Sequence, residues 1–138
     1  MKKQVKNWIL FADQDLKTAE IVIKDEYPLT NIIAFHCQQA IEKYMKAFLV
    51  EKNFPIIRTH DLIKLNDMIR SIRDLGIDEK KMILLNEVYT ETRYPSDLGL
   101  LPDGLPSGKQ ANDFLEYAKE VKAIVSYELT KKTEGAIR

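Results

Sequence analysis

The chain has 138 residues, of which 45% are hydrophobic and 30% charged, a balance typical of globular proteins. Its 21 basic residues match 21 acidic ones, so the net charge is zero, which excludes a protein that coats DNA through a general basic excess. No apolar run reaches the roughly 20 residues of a membrane-spanning helix, and a single cysteine, Cys37, cannot form an internal disulfide. We therefore expect one soluble domain over residues 1–138, in a reducing cytoplasm and without membrane contact.

Five segments carry apolar residues at helical spacing, and none alternates with the two-residue period of a strand. The spacing predicts helices over residues 4–24, 30–52, 60–71, 78–93 and 108–131. The expected caps are Thr30 or Asn31 for the second helix and Thr59 for the third. The sequence thus predicts an all-α fold, an up-and-down bundle of four long helices plus one short helix. Residues 94–107 form a connection whose length is usual for functional or mobile loops.

The second predicted helix carries four polar side chains in one narrow stripe beside its apolar face. At about 100° per residue, imidazole, amide and two ammonium groups fall together, and such a set suits an anion or the edge of a base. The alternative is a solvated flank of an amphipathic helix. The four residues are His36, Gln39, Lys43 and Lys46.

Asp15 projects from the first helix between apolar residues. Because a bare buried carboxylate is costly, we expect Asp15 to be paired, with Lys43, Arg93 or His36 as the candidate partners. Either the pair is purely structural, or Asp15 orients a functional cation.

Arg93 lies one turn after Tyr89, near the end of the fourth predicted helix. Arginine grips phosphate through its planar fork, although an interhelical salt bridge is the alternative at this position. Residues 59–61 indicate the start of the third helix rather than a catalytic His60.

Metal and cofactor sites find no support in the sequence. Two separated histidines and one cysteine match no zinc pattern, and the glycine-rich residues 104–110 lack the spacing and the Ser/Thr of a phosphate-binding loop. Cys37 falls on the core side of the second helix, which favours an inert buried thiol. We expect neither a metal nor a cofactor.

Four short motifs occur in an order and spacing that are fairly specific when taken together. They are Ala12-x-x-Asp15-Leu16-x-x-Ala19, Phe35-His36-Cys37-Gln38-Gln39-Ala40-x-Glu42-Lys43-x-x-Lys46-Ala47, Thr59-His60-Asp61-Leu62 and Arg93-Tyr94-Pro95. In these motifs the chain resembles the HEPN family, the nucleotide-binding domains of higher eukaryotes and prokaryotes, over nearly its whole length. The resemblance implies a helical bundle that dimerises, often partnered by a minimal nucleotidyltransferase in a toxin–antitoxin pair.

The same resemblance bears on catalysis, because many HEPN proteins are metal-independent ribonucleases that combine an arginine with a histidine shortly after it. The arginine here would be Arg93, but Leu98, Gly99 and Leu100 occupy the positions where the histidine is expected. Since His60 is the last histidine, the general base is missing, and such proton transfer is typically worth about 10²–10⁴ in rate.

We therefore predict a HEPN-like module that binds a nucleotide, RNA or a partner enzyme, works as a homodimer and pairs with a minimal nucleotidyltransferase. Arg93 and Lys43 would hold phosphate, Asp15 would position a cation and Gln39 would contact a polar edge. The full set of predicted ligand-binding residues is Arg93, His36, Gln39, Lys43, Lys46 and Asp15.

Two alternatives stay open. One is an endoribonuclease that uses Arg93 with a non-standard histidine, His36 or His60. The other is a pure protein-interaction module in which the polar cluster is only a network of salt bridges.

Overall fold

The part of the chain that the structure describes folds into five helices. The computed structural model describes residues 1–55, 58–93 and 105–137, without the side chains of residues 92, 93 and 132–137. The helices are α1 (Lys3–Ile23), α2 (Thr30–Glu51), α3 (Leu62–Ile72), α4 (Glu79–Arg93) and α5 (Gly108–Ile137), and the described ranges contain no strand. The predicted all-α class, with four long helices and one short one, is confirmed. Most of the predicted 94–107 connection lies outside the described residues.

The second helix, α2, lies at the centre and packs against each of the other four. One side of it is fully buried, including Ile33, Cys37, Ile41 and Phe48. Removing this apolar surface from water is the main force that holds the bundle together. The other helices close on it with Leu16 and Ala19 from α1, Leu65 and Ile69 from α3, Met82 and Leu85 from α4, and Phe114, Ala118, Val121 and Val125 from α5. Within the described ranges, no helix combines the length and apolarity needed to cross a membrane.

Two pairs of consecutive helices, α1 with α2 and α3 with α4, run in opposite directions, as expected of an up-and-down bundle. Lys2, just before α1, donates from Nζ to the Val50 carbonyl near the end of α2 at 3.2 Å, whereas Asp15 meets His36 near the start of α2. The helices α3 and α4 are related in the same way. The Leu62 amide at the start of α3 donates to Asn86 Oδ1 at 3.2 Å, and Arg70 near its end pairs with Glu79 at the start of α4.

The start of α2 at Thr30 is confirmed, but the predicted caps of α2 and α3, and the predicted start of α3, were wrong. The residue before α2 is Leu29, which makes no side-chain capping bond, because Thr30 already belongs to the helix. The third helix begins at Leu62, and its cap is Asp61, whose carboxylate accepts from the Ile63 amide at 2.9 Å. Thr59 instead accepts from the Asp61 amide at 3.1 Å, in the turn before the helix. His60 therefore lies outside α3.

The last helix also extends beyond its predicted end, to Ile137.

The end of α2 sets the path of the chain toward His60. Asn53 adopts a left-handed φ of 59°, the Phe54 amide donates to the Leu49 carbonyl at 2.9 Å, and the Asn53 amide donates to the Val50 carbonyl at 3.0 Å. This is the usual pattern of hydrogen bonds that ends a helix and reverses the chain. The reversal allows His60 to lie beside Gln38, more than three helical turns before the end of α2.

Candidate anion-binding face

The carboxylate of Asp15 holds two side chains of α2 at once, an imidazole and an ammonium group. His36 Nδ1 lies 2.9 Å from Asp15 Oδ1, and Lys43 Nζ donates to Asp15 Oδ2 at 2.5 Å. The prediction that Asp15 is paired is confirmed, with two of the three candidate partners. About a quarter of each partner side chain is exposed, 24% for His36 and 23% for Lys43. The cluster therefore lies at the surface and can be reached by a ligand.

The bond to Asp15 determines which nitrogen of His36 faces outward. A carboxylate only accepts, so the ring nitrogen that faces it must donate, and Nδ1 carries the proton of the neutral ring. Nε2 makes no hydrogen bond with any described residue. The ring can therefore take up a proton at Nε2, or donate from Nε2 to an anion once it is protonated.

A second carboxylate, Glu42, holds another lysine and another histidine. Glu42 accepts from Lys46 Nζ at 3.0 Å and from His60 Nδ1 at 2.8 Å. Only 4% of the Glu42 side chain and 10% of the Lys46 side chain are exposed, against 69% for His60. The Lys46 ammonium also lies 5.4 Å from the centre of the Trp8 ring, close enough for a cation–π contact.

The predicted stripe on α2 is therefore divided between the two carboxylates. His36 and Lys43 pair with Asp15, whereas Lys46 pairs with Glu42. The helical repeat explains the division, because Lys46 lies about 60° around the helix from Lys43 but only about 40° from Glu42. Gln39 lies between the two groups and donates from Nε2 to Gln38 Oε1 at 2.8 Å.

We call the partly exposed residues around Asp15, together with the neighbouring Gln39, the polar face: Asp15, His36, Gln39 and Lys43. Arg93 is the last residue of α4, and its side chain lies outside the described atoms. One turn earlier, the Tyr89 ring stacks on Phe35 with 6.0 Å between ring centres, and Phe35 precedes His36 in α2. The end of α4 thus approaches the same end of α2 as the polar face.

The charges of the two clusters balance. Asp15 and Glu42 offset Lys43 and Lys46, so these four groups carry no net charge. Anions would be bound by directional N–H donors rather than by a fixed excess of positive charge.

A comparison with protein families identifies the fold. The family model described as HEPN domain matches residues 5–129, which reach from the first turn of α1 to the last part of α5. The chain belongs to the HEPN family. Comparisons with curated proteins and with solved structures find no match. Membership confirms the resemblance seen in the sequence motifs and makes this HEPN chain a helical module of a nucleotide- and RNA-related family.

The opposite side of α2 in this HEPN chain is structural. Cys37 is fully buried, and burial raises the pKa of its thiol to about 12, which confirms the prediction of an inert core cysteine. The Tyr44 hydroxyl donates to Asp13 Oδ1 at 2.5 Å, and Lys122 of α5 pairs with the same oxygen at 3.1 Å. Burial, helped by Asp13, raises the pKa of Tyr44 well above its ordinary value. This bond ties α1, α2 and α5 together.

The sequence motifs contained Gln38 and Glu42, but no role was predicted for either. The available signal was their four-residue spacing with Lys46, which aligns all three residues along α2. No sequence pattern joined them to His60, which is 18 residues from Glu42. Among the described residues, no three metal-binding side chains lie close enough to hold an ion.

Proposed function

We propose that this HEPN chain binds the phosphate group of a nucleotide or of RNA on its polar face. The observation that carries the proposal is the Asp15 carboxylate, which fixes His36 and Lys43 side by side while leaving about a quarter of each exposed. An ammonium group has three donors, and only one is needed for Asp15. Lys43 therefore keeps donors for a phosphate oxygen, and His36 can add another through Nε2.

The remaining residues have supporting roles in this proposal. Arg93 would supply a planar fork for the phosphate from the end of α4, and Gln39 would contact the polar edge of a base. Lys46 would act from behind the polar face, because nine-tenths of its side chain is buried against Glu42. Since no histidine follows Arg93, we favour binding over cleavage.

Family membership supports the choice of partners. HEPN proteins commonly dimerise, and many are encoded with a minimal nucleotidyltransferase, so we propose a cytoplasmic homodimer that works with such an enzyme in a toxin–antitoxin-like pair. Light scattering on the purified chain would measure its oligomeric state. A neighbouring reading frame without any nucleotidyltransferase would argue against the pairing.

Ligand binding is tested by titrating adenosine monophosphate and a short RNA into the wild type and into Lys43→Met, which keeps the length of the side chain. We expect Lys43→Met to weaken binding of both ligands by about tenfold, equivalent to about 1.4 kcal/mol. Arg93→Ala should weaken both as well. The matched control is Lys109→Met, because Lys109 is 86% exposed on α5 and pairs only with Asp113. A wild type that binds neither ligand would refute the proposal.

A second candidate function is metal-independent cleavage of RNA, and the orientation of His36 favours it. With Nδ1 held by Asp15, Nε2 is free of described partners and could take the proton from a ribose 2′-hydroxyl while Arg93 holds the phosphate. The 2′-oxygen would then bond to phosphorus, the bond from phosphorus to the 5′-oxygen of the next nucleotide would break, and that oxygen would leave as a hydroxyl with a proton from water. The expected signature is cleavage in the presence of EDTA that leaves 2′,3′-cyclic ends. His36→Gln should abolish that cleavage, and activity that survives this substitution would exclude His36 as the base.

A further inference from the structure

His60 is the most exposed residue of the two clusters, yet it is held at two points. Its ring is 69% exposed, but Nδ1 is bound by the buried Glu42 carboxylate at 2.8 Å. Its backbone carbonyl accepts from Gln38 Nε2 at 2.7 Å, and Gln38 is completely buried. An exposed side chain is ordinarily free to move. The two contacts with Glu42 and Gln38 instead fix the position and orientation of His60.

The group that holds the His60 ring is a buried ion pair, Glu42 with Lys46. Burying a carboxylate and an ammonium group costs several kcal/mol per ion before pairing, and apolar residues of similar volume often stabilise a protein as well or better. Apolar residues could anchor the backbone near His60, but they could not orient an imidazole. With Nδ1 donating to Glu42, Nε2 on the opposite edge faces away and has no hydrogen-bond partner among the described residues.

Both histidines are held within the same two turns or so of α2. Gln38 and Glu42 hold His60, whereas Asp15 is paired with His36 and Lys43, so the four α2 residues involved lie between residues 36 and 43. Around the helix, Gln39 separates the two sets and is hydrogen-bonded to Gln38. The two imidazoles therefore flank Gln39, one on the side of α1 and the other beside the start of α3.

The surroundings of His60 are basic. Arg58 and Lys64 are exposed on either side of it in the sequence, and neither forms an ion pair with a described residue. The Asp61 carboxylate accepts from the Ile63 amide and from Asn86, and its charge offsets one of these two cations, so the three groups together carry a net positive charge. Two free cations and an oriented imidazole together suit a phosphate group.

We propose that His60, with Arg58 and Lys64, forms a second phosphate-binding position, so that this position and the polar face together bind a strand of RNA rather than a single nucleotide. One phosphate would lie at Lys43 and His36, a second at His60, and the base between them would lie over Gln39. This inference rests on the proposed function and narrows its ligand to a single-stranded polynucleotide. It needs no chemical step.

Chain length of the ligand provides the test. Affinities for adenosine monophosphate and for single-stranded di-, tetra- and octanucleotides of RNA would be measured by calorimetry and fluorescence anisotropy. We expect the wild type to bind the tetranucleotide at least about tenfold more tightly than the mononucleotide, because the second phosphate binds with a high effective concentration. His60→Gln should remove this gain and leave mononucleotide binding at Lys43 and His36 unchanged, since the glutamine amide can still donate to Glu42 but the outward-facing ring nitrogen is lost.

A second variant guards against loss of folding. Arg58 and Lys64 have no buried partners, so Arg58→Gln with Lys64→Gln should also reduce the gain without affecting the fold, which circular dichroism would check. The second phosphate-binding position is refuted if the affinity does not depend on RNA length, or if both variants still bind the tetranucleotide more tightly than the mononucleotide. Neither result would contradict mononucleotide binding that depends on Lys43. Absence of all binding by the wild type refutes the proposed function itself.

Discussion

Two carboxylates in this molecule, Asp15 and Glu42, each bind a lysine and a histidine, but the side chains exposed to solvent differ between the two clusters. Around Asp15, both cations remain about a quarter exposed. Around Glu42, the carboxylate and Lys46 are buried and the histidine alone extends outward. The same three chemical groups therefore form one open cluster and one closed cluster on a single helix.

Because the two clusters differ in burial, one contributes mainly to the stability of the fold and the other is accessible to a ligand. Water screens the open cluster and can solvate its members if a partner is lost, so its ion pairs add little to stability but remain available to a ligand. In the closed cluster, removal of one partner leaves a buried charge that water cannot reach. We therefore expect substitutions in the closed cluster to act on folding and those in the open cluster to act on binding.

The largest effect should come from Glu42→Ala. This change leaves the Lys46 ammonium buried without its carboxylate, and breaking a buried ion pair in this way costs about 3–5 kcal/mol. Urea unfolding followed by circular dichroism would measure the loss. The control is the double variant Glu42→Ala with Lys46→Met, which removes both charges and should recover most of the stability. If Glu42→Ala alone were as stable as the wild type, the Lys46 ammonium would have to be accessible to water, and the closed cluster would not differ from the open one.

A smaller effect is expected from Asp15→Ala. The variant loses two charge-assisted bonds, but His36 and Lys43 can turn to water, so the free energy of unfolding should fall by only about 1 kcal/mol. Asp67→Ala, at an exposed carboxylate without an ion pair to any described residue, should be neutral within about 0.5 kcal/mol. If Asp15→Ala is as damaging as Glu42→Ala, the two clusters do not differ in the way that their exposure indicates.

The sequence predicted the parts of this comparison that depend on local spacing. Periodicity located the helices, and the position of Asp15 among apolar residues was enough to predict that it has a partner. The closed cluster could not be predicted, because the bond from His60 to Glu42 depends on how the chain returns along α2 after Asn53. The cap of α3 was predicted as Thr59 and is Asp61, because two neighbouring residues both have side chains that can cap a helix and spacing alone does not choose between them.

The smallest effect at neutral pH concerns the side of α2 opposite the polar face, where Cys37 provides an internal reference. Burial raises the pKa of this thiol from 9.0 to about 12, so almost no thiolate is present in the native protein at pH 8. A thiol reagent should therefore react slowly with the folded chain and rapidly in denaturant. Above pH 9 the unfolded chain loses a proton that the native state retains, so stability should decrease as the pH rises from 9 toward 12. Rapid labelling of the native thiol at pH 8, measured by absorbance, would mean that this side opens to water as the polar face does.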